Sequence, residues 1–413
     1  MPTTRVLNLT RLGWGLAIPV LFLGLIGLAS IHATDRNPAV LAETRTSPPT
    51  AATADPNWLQ RAHDALGPRT TRQILYFLTG VALLLAALVP SYQRIGRYAY
   101  FAYGVTLVLL ILLVLDRYID LPLIPVRNNV RRWVSLGPLS LQPSEFMKVI
   151  LILTLARYLR FRDSYRRWPG LITPFLLTLV PMALILLQPD LGTMLMLLPV
   201  LFIMLFVAGA RLRHLALIVL LGGASLPFFY FYGMKPYQQE RFQILLKQNV
   251  ADARWHRGPG YQLYQSKIAL GSGGLTGEGW GQGIFIDRSL LPEEHNDFIF
   301  AIIGHQWGLI GCALVILAYS IIVFFGLEVA TVTNDPFGRL LAVGVCAMIV
   351  VQALLNISMT VGLAPITGMT LPFVSSGGSS LWANFLALGL LINVAQRRPM
   401  LIAHPPFEHK DDE

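Results

Sequence analysis

Repeated apolar segments, each long enough to cross a lipid bilayer, constrain the fold of this chain more than any other feature. A spanning helix needs about 17 to 25 apolar residues, because every backbone polar group in lipid must bond within its own segment. Such segments lie near residues 12–31, 73–90, 98–115, 143–159, 170–187, 191–208, 215–232, 298–326, 340–358 and 379–395. Composition agrees, since 54% of the residues are hydrophobic and 13% are charged. The sequence predicts an all-α polytopic membrane protein with about ten transmembrane helices.

Basic residues in the short connections set the predicted orientation, because connections rich in arginine and lysine stay in the cytoplasm. Arginines recur in alternate connections, around residues 5–11, 94–97, 157–167, 211–213, 339 and 397–398. Both termini are therefore predicted to be cytoplasmic, with 399–413 as a cytoplasmic tail. The predicted outer connections are 32–72, 116–142, 188–190, 233–297 and 359–378. Of these, 233–297 is a large extracytoplasmic loop between helices 7 and 8.

The net charge and the first outer connection add two further expectations. A formal charge of +10 does not indicate nucleic acid, because no polar domain interleaves basic residues with stacking aromatics. Basic loops beside anionic lipid head groups account for this charge. Residues 32–71 are rich in Ala, Thr and Pro without a helical period, so they are interpreted as a flexible extracytoplasmic loop. We treat 1–413 as a single transmembrane domain.

A carboxylate stands where the large outer loop meets an apolar segment, in LPEEHNDFIFAIIGHQWGLIG (residues 291–311). From Phe298 onward the sequence is apolar enough to enter the bilayer, which would place Asp297 at the outer membrane surface. Charged residues at membrane positions are costly and are functional candidates by default. Asn296 or Asp297 could equally cap the following helix, since a side-chain oxygen satisfies a free backbone amide there. The residues alone leave capping and catalysis equally open.

Other ionisable residues lie at the outer ends of the segments. The run VRNNVRRW places Arg127, Arg131 and Arg132 in an outer connection, which favours an anionic substrate on that face over a solvated loop. Glu145 and Lys148 lie three positions apart at the start of one segment, where they can form an ion pair. The pair could stabilise the structure or take part in the reaction. Asp190 follows a proline and is interpreted first as a helix cap, with a site contribution open.

Two segments rich in glycine have different predicted roles. Residues 271–283, GSGGLTGEGWGQG, lack the spacing and context of a nucleotide loop, so flexibility or close packing is favoured. Residues 365–380, here called the serine–glycine segment, are crowded with Pro, Gly, Ser and Thr. Non-helical backbone at membrane depth persists only where protein or a water-filled cavity covers it. The serine–glycine segment is therefore predicted to form the wall of an outward-facing cavity.

Five ordered motifs resemble the SEDS family (shape, elongation, division and sporulation) of bacterial cell-wall polymerases, in wording closest to its RodA branch. They lie across roughly residues 70–398 and read RRWVSLGPLSLQPSEFMK, QPDLGT, GSGGLTGEGWGQG, LPEEHNDFIFAIIG and PITGMTLPFVSSGGSS. The resemblance implies a peptidoglycan glycosyltransferase that joins lipid II into glycan strands for cell elongation, at the outer face of the bacterial cytoplasmic membrane. It also implies a class B penicillin-binding protein, a transpeptidase, as partner.

The resemblance assigns roles to residues of this chain by motif. Asp297 matches the family's essential acidic residue, and Trp133, Glu145, Lys148 and Asp190 match further motif positions. A carboxylate base would take the proton of an attacking sugar hydroxyl, while cations would steady the departing diphosphate. A divalent cation, Mg²⁺ or Mn²⁺, is left open, with no metal ligand assigned. The predicted substrate-binding residues are Arg127, Arg131, Arg132, Trp133, Glu145, Lys148, Asp190, Ser375, Ser376 and Ser379.

Departures from the family pattern and competing functions stay open at this point. Glu278 stands where a lysine is common, His305 and Gln306 replace an acidic pair, and Ser376 replaces a tyrosine. His305 predicts an activity that is sensitive to pH between about 5.5 and 7.5. The alternatives to an elongation polymerase are a division-type (FtsW-like) polymerase, a lipid II flippase, and a scaffold that recruits the transpeptidase.

Overall fold

A computed structural model describes residues 13–35, 66–119, 124–125, 130–136, 139–161, 166–248, 253–288, 290–291 and 294–397. Helices make up nearly all of the regular structure in these ranges. In chain order the elements are α1 (Trp14–Asp35), α2 (Pro68–Leu88), α3 (Tyr92–Arg97), α4 (Ala99–Ile119), β1 (Val134–Leu136), β2 (Leu139–Leu141), α5 (Pro143–Leu159), α6 (Trp168–Leu187), α7 (Leu191–Ala208), α8 (Leu212–Phe228), α9 (Pro236–Leu246), α10 (Ala253–Arg257), α11 (Tyr261–Ser272), α12 (Ile284–Arg288), α13 (Ile299–Val332), α14 (Pro336–Val361) and α15 (Gly378–Gln396).

The membrane-spanning architecture follows the apolar segments. Within the described ranges, nine helices are long and apolar enough to cross a membrane. The remaining predicted segment forms α5, which has 17 residues and is just long enough to span. Every predicted segment thus contains one long helix, and the prediction of an all-α polytopic membrane protein is confirmed.

The first outer connection is shorter than the sequence predicted. α1 continues to Asp35 and α2 already begins at Pro68, because the two ends support each other. The Asp35 Oδ2 atom accepts hydrogen bonds of 2.7 Å from both the backbone N and the Oγ1 of Thr70. Most of the predicted flexible loop, residues 36–65, lies outside the described residues, as does the predicted tail 399–413.

The bundle is built around α14 and α15, whose residues are mostly buried. α15 packs on α2, and α14 packs on α5, α7 and α13. α8 is the opposite case, because it buries only His214 and Leu215 and presents the rest of its apolar surface outward. A helix with that pattern faces lipid along most of its length.

The large outer loop is structured in its described part. A π-helical turn, Phe229–Gly233, continues α8, and the four short helices α9 to α12 follow. The other long outer connection contains an antiparallel hairpin in which Val134 pairs with Leu141, Ser135 with Ser140 and Leu136 with Leu139. These elements lie at the ends of the spanning helices that the arginine pattern predicts to be outside.

α13 is broken near its start. Its 34 residues would extend about 51 Å, well beyond a hydrocarbon core of about 30 Å, and Gly308 interrupts the helix with φ 61° and ψ −157°. Before the break, every residue from Ile299 to Gln306 is buried in protein. After it, Leu309 and Ile310 are 61% and 55% exposed. The part of α13 before the break is therefore enclosed by protein, and its apolar side chains become exposed only after Gly308.

The glycine-rich loop, residues 271–283, supplies the backbone hydrogen bonds that the break removes. Glu278 N and Gly279 N donate to the carbonyl oxygens of His305 and Gln306, at 3.0 and 3.2 Å. In return, Leu309 N and Ile310 N donate to Gly274 O and Leu275 O, at 2.9 and 3.2 Å. Backbone groups in a membrane protein must be satisfied internally. The loop is therefore a packing device, as its lack of a nucleotide-binding pattern suggested.

Close approach of the two backbones requires glycine at position 277 of this loop. Gly277 has φ +84°, and a Cβ atom there would lie 2.1 Å from the Gln306 carbonyl oxygen. We expect Gly277→Ala to destabilise the protein by about 2 to 4 kcal/mol, through the clash and the left-handed backbone together. Gly281→Ala is the matched control, because Gly281 has φ +69° but no heavy atom within 4 Å of a Cβ. Thermal unfolding of the purified variants measures the difference, and equal losses would contradict the packing role.

Candidate active site

A polar cavity of about 430 Å³ opens at one end of the helix bundle. Each of the five predicted outer connections, or the helix start beside it, contributes to its lining. The cavity therefore gathers on one end of the bundle the segments that the arginine pattern placed on one side. The lining residues are Arg69, Arg72, Tyr76, Arg132, Trp133, Ser140, Gln142, Glu145, Asp190, Thr193, His295, Asn296, Asp297, Gly368, Met369, Thr370, Ser376, Gly377, Gly378, Ser379 and Ser380.

Asp297 lies in this cavity, in the turn that precedes α13. α13 takes Phe298 as its N-cap residue, with no side-chain capping bond, so the capping role considered for Asp297 is not the one it has. Its Oδ2 atom would lie 3.3 Å from a Cβ atom at Gly368, whose φ is +73°. The glycine therefore gives the carboxylate room beside the serine–glycine segment.

The turn that carries Asp297 is fixed by its backbone. Asn356 Nδ2 donates to Asp297 O at 2.8 Å and to Met369 O at 2.5 Å. Ser375 Oγ donates to Asn296 O at 2.6 Å, and Ser376 N donates to His295 O at 3.0 Å. These bonds join the acidic turn to α14 and to the serine–glycine segment. They hold the backbone of Asp297 while its side chain faces the cavity.

Asp190 is the N-cap of α7, as the sequence favoured. Its Oδ1 atom accepts from Thr193 N at 3.3 Å. Its Oδ2 atom accepts from Thr193 Oγ1, Gln142 Nε2 and Ser144 Oγ, at 3.0 to 3.1 Å. These hydrogen bonds fix the carboxylate in position. Asp190 therefore ties α7 to the start of α5 at the cavity wall.

Glu145 and Lys148 form the ion pair that their spacing suggested. Lys148 Nζ lies 2.8 Å from Glu145 Oε2 and 3.2 Å from Gln352 Oε1 on α14. Gln352 Nε2 donates to Thr370 O at 3.0 Å, which extends the contacts to the serine–glycine segment. Glu145 lines the cavity, whereas Lys148 is 1% exposed and lies behind it. The lysine thus has a structural position beneath the cavity floor.

The arginines of the predicted basic run, residues 127–132, do not all lie at the cavity. Arg132 lines the cavity, but its Nε donates to Gln188 O at 2.7 Å and its Nη2 to Pro189 O, which braces the end of α6. Arg131 forms an ion pair of 2.8 Å with Asp116 on α4, away from the lining residues. Arg127 lies outside the described residues.

The remaining predicted substrate-binding residues are Trp133 and three serines. Trp133, Ser376 and Ser379 line the cavity. Ser379 Oγ accepts from Gln142 N at 3.0 Å and donates to Ser140 O at 3.2 Å, linking α15 to the hairpin. Ser375 is buried, and besides its bond to Asn296 O it accepts from Leu371 N at 2.7 Å. Its role is therefore to hold the acidic turn.

Three arginines beside the site were not predicted from the sequence to belong to it. Arg69 and Arg72, in the first turns of α2, line the cavity. They break the same positive-inside rule that singled out the run 127–132, so the sequence already contained a signal for them.

Arg241 of α9 also lies near the site, and its Nη1 donates a hydrogen bond to Ile366 O at 2.8 Å. Burial and the nearby Arg132 lower the pKa of Arg241 from its ordinary value, while Asp297 opposes that shift. No local pattern marks Arg241, because only the fold of the large loop brings it here.

The sequence also missed Glu294, a buried carboxyl three residues before Asp297. Glu294 is 3% exposed, and its burial raises its pKa to about 8 against the opposing effect of Arg69. Between the ordinary value of 4.5 and about 8, the folded protein keeps a proton that the unfolded chain releases. Stability from this group therefore falls as the pH rises through that window.

We expect Glu294→Gln to remove this loss, stabilising the protein by up to about 3 kcal/mol at pH 7 and by little at pH 4.5. Thermal unfolding of both proteins across this pH range measures the effect. Glu328→Gln, at an exposed position, is the control for removing one carboxyl. A constant difference between Glu294→Gln and the native protein at all pH values would contradict the assignment.

The acidic residues do not form a metal site by themselves. Asp297, Glu145 and Asp190 all line the cavity, yet no group of three His, Cys, Asp or Glu side chains in the described ranges is arranged to hold a metal ion. Asp190 is bound by hydrogen-bond donors and Glu145 by Lys148. The divalent cation therefore stays a prediction.

His305 and Gln306 lie just before the break at Gly308 in α13, and neither is among the cavity-lining residues. Ser272 Oγ lies 2.8 Å from His305 Nδ1. The proposed pH sensitivity through His305 stays a prediction that this position does not support.

Comparison with known proteins agrees with the site. A family model described as FtsW/RodA/SpoVE cell cycle protein matches residues 59–399. Stage V sporulation protein E of Bacillus subtilis (strain 168) is 38% identical over 283 residues, which cover 66% of this chain and 73% of that protein. Peptidoglycan glycosyltransferase MrdB of Escherichia coli (strain K12) is 35% identical over 277 residues, covering 67% and 74%.

A solved structure extends the likeness to nearly the whole fold. It is described as "Structural coordination of polymerization and crosslinking by a peptidoglycan synthase complex", and it matches with a TM-score of 0.73 at 27% identity. The match covers 94% of this chain and 98% of that one. The family model spans more than half of the sequence, and the relatives exceed 30% identity over most of their length. The chain belongs to the FtsW/RodA/SpoVE family of membrane proteins.

Proposed function

We propose that this protein is a peptidoglycan glycosyltransferase that polymerises lipid II at the outer face of the bacterial cytoplasmic membrane. The relatives named peptidoglycan glycosyltransferase support this activity. In this proposal both termini are cytoplasmic, and the cavity faces outward. The observation that carries it is the convergence of Asp297, three arginines and the five predicted outer connections on one polar cavity.

The chemistry requires a base on one side of the reacting sugars and positive charge on the other. Asp297 takes the proton from a sugar 4-hydroxyl as its oxygen attacks the anomeric carbon of the donor. The bond from that carbon to the diphosphate breaks, and its electron pair leaves with the diphosphate. A positioned base contributes about 10²- to 10⁴-fold to such a step. Since the diphosphate departs as an anion, cations serve it better than a second carboxylic acid.

The rest of the cavity supports a lipid-linked donor. Its mouth lies at the outer ends of spanning helices, so a substrate anchored in the bilayer reaches it without leaving the membrane. Asp190 and the Glu145–Lys148 pair are engaged with neighbouring side chains, so we assign them to shaping the cavity. Asp297 is then the catalytic residue.

Purified protein in liposomes containing lipid II tests this function. Polymerisation predicts glycan products that lengthen with time when lipid II is present in the outer leaflet. Movement of lipid II between leaflets without glycan products would instead indicate a flippase. If an Asp297→Ala protein fully replaces the native one in cells, the scaffold hypothesis is favoured and catalysis at this residue is refuted.

We further propose a class B penicillin-binding protein as partner and cell elongation as the process served. The likeness to a chain of a complex that couples polymerization and crosslinking supports the partner. Both a sporulation protein and MrdB are among the relatives, so elongation is tested separately. Depletion in the native organism should give rounded cells, whereas filaments would indicate a division role.

A further inference from the structure

Two arginines at the start of α2 have positions that the protein's own contacts do not explain. Arg69 and Arg72 both line the cavity, and their spacing of three residues places them on one face of the helix. Positive charge in the first turns of a helix opposes the helix dipole, so these positions disfavour arginine. An unfavourable placement without an internal partner points to a ligand outside the chain.

No acid of the described chain forms an ion pair with Arg69 or Arg72. Neither guanidinium group donates a hydrogen bond or forms an ion pair within the described residues. Asp35 lies at the same helix start, but the oxygen that faces α2 accepts from Thr70. Glu294 is an electrostatic neighbour of Arg69, and burial raises its pKa to about 8, so it is mostly neutral at pH 7. The positive charge of Arg69 and Arg72 is therefore available to a ligand that enters the cavity.

The other cations near the site are committed to the protein. Arg132 bonds two backbone carbonyls at the end of α6, and Arg241 bonds Ile366 O. Arg131 pairs with Asp116, and Lys148 with Glu145. In the described part of the cavity, Arg69 and Arg72 are thus the cations with the most donors free. The sequence analysis instead gave the anion to the run 127–132, of which Arg127 lies outside the described residues.

We infer that Arg69 and Arg72 form the binding site for the diphosphate of the lipid-linked substrate. The inference rests on the proposed function and extends it to a named pair of residues. Each guanidinium presents a planar fork of donors that matches two phosphate oxygens, so two of them suit two adjacent phosphates. The pair also lies at the outer end of a helix whose Leu75 and Leu78 are exposed and apolar. A diphosphate on a prenyl chain can therefore reach the arginines while its chain stays in lipid.

The site would act before and during the reaction. It orients the donor in the cavity that contains Asp297, and it stabilises the negative charge that the diphosphate gains as the glycosidic bond forms. Arg69 and Arg72 are in this view substrate-binding residues, and Asp297 remains the base.

Binding of undecaprenyl diphosphate to the full-length protein in nanodiscs tests the site without requiring turnover. We expect Arg69→Gln/Arg72→Gln to weaken binding by roughly 10- to 100-fold, since several charge-assisted hydrogen bonds are lost. Arg94→Gln/Arg97→Gln is the matched control, because these arginines are also three residues apart on one helix, are exposed and lie outside the cavity lining. Thermal unfolding of both double variants confirms that they fold.

Three ligands separate the sources of affinity. Undecaprenol should bind the native and the Arg69→Gln/Arg72→Gln proteins equally, whereas inorganic pyrophosphate should lose affinity in the variant as undecaprenyl diphosphate does. Unchanged binding of undecaprenyl diphosphate, or an equal loss in the Arg94→Gln/Arg97→Gln control, would overturn the inference. If the native protein binds through this pair but makes no glycan, the proposed function fails and the diphosphate site stands.

Discussion

Asp297→Asn is expected to lower the rate of glycan polymerisation from lipid II by about 10²- to 10⁴-fold, the range that a positioned base contributes. The substitution keeps the shape of the side chain and removes its negative charge together with its ability to accept a proton. The turn should persist, because its hydrogen bonds involve the backbone oxygens of Asp297 and Asn296. Product length on gels, measured with purified protein and lipid II, gives the rate.

The control for this experiment is an acid remote from the cavity. Asp287→Asn changes an exposed residue of α12 in the same outer loop and should leave the rate unchanged. Binding of lipid II to Asp297→Asn should also stay close to the native value, since a base acts on the chemical step. A variant that retains more than about a tenth of the native rate would exclude Asp297 as the base.

The parts of this structure that depend on local pattern could be predicted from the sequence. Hydropathy predicted the spanning helices, because in lipid each segment must form its backbone hydrogen bonds within itself. Spacing alone was enough for the Glu145–Lys148 pair, since residues three apart meet on any helix. The cap at Asp190 follows equally from a short polar side chain placed before a helix. The arginine pattern also grouped correctly the segments that meet at the cavity.

The parts that depend on contacts distant in sequence could not be predicted. The break at Gly308 lies inside an apolar run whose hydropathy does not change, and it is stable only because residues 274–279 supply its missing hydrogen bonds. The sequence therefore gave no sign that α13 is interrupted. Arg241 illustrates the same limit, because it reaches Ile366 O across 125 positions of the chain. Arg69 and Arg72 differ, since the positive-inside rule already marked them.

The buried pair on α5 gives the second large expected effect. Lys148→Met should destabilise the protein by about 3 to 5 kcal/mol, because it leaves the mostly buried Glu145 carboxylate at the cavity wall without its cation. Lys148 is 1% exposed and Glu145 8%, so water can replace little of the lost interaction. Thermal unfolding in detergent, together with the yield of folded protein, measures the loss.

A double variant distinguishes the unpaired charge from the lost contacts. Glu145→Gln/Lys148→Met removes both charges, and replacing a buried ion pair by neutral groups is often close to neutral in stability. We therefore expect it to recover most of the loss. The part not recovered reports the bond from Lys148 to Gln352, which is worth about 1 kcal/mol as a single hydrogen bond. A double variant no more stable than Lys148→Met would instead place the stabilisation in the contacts from Gln352 to the serine–glycine segment, with the ion pair contributing little.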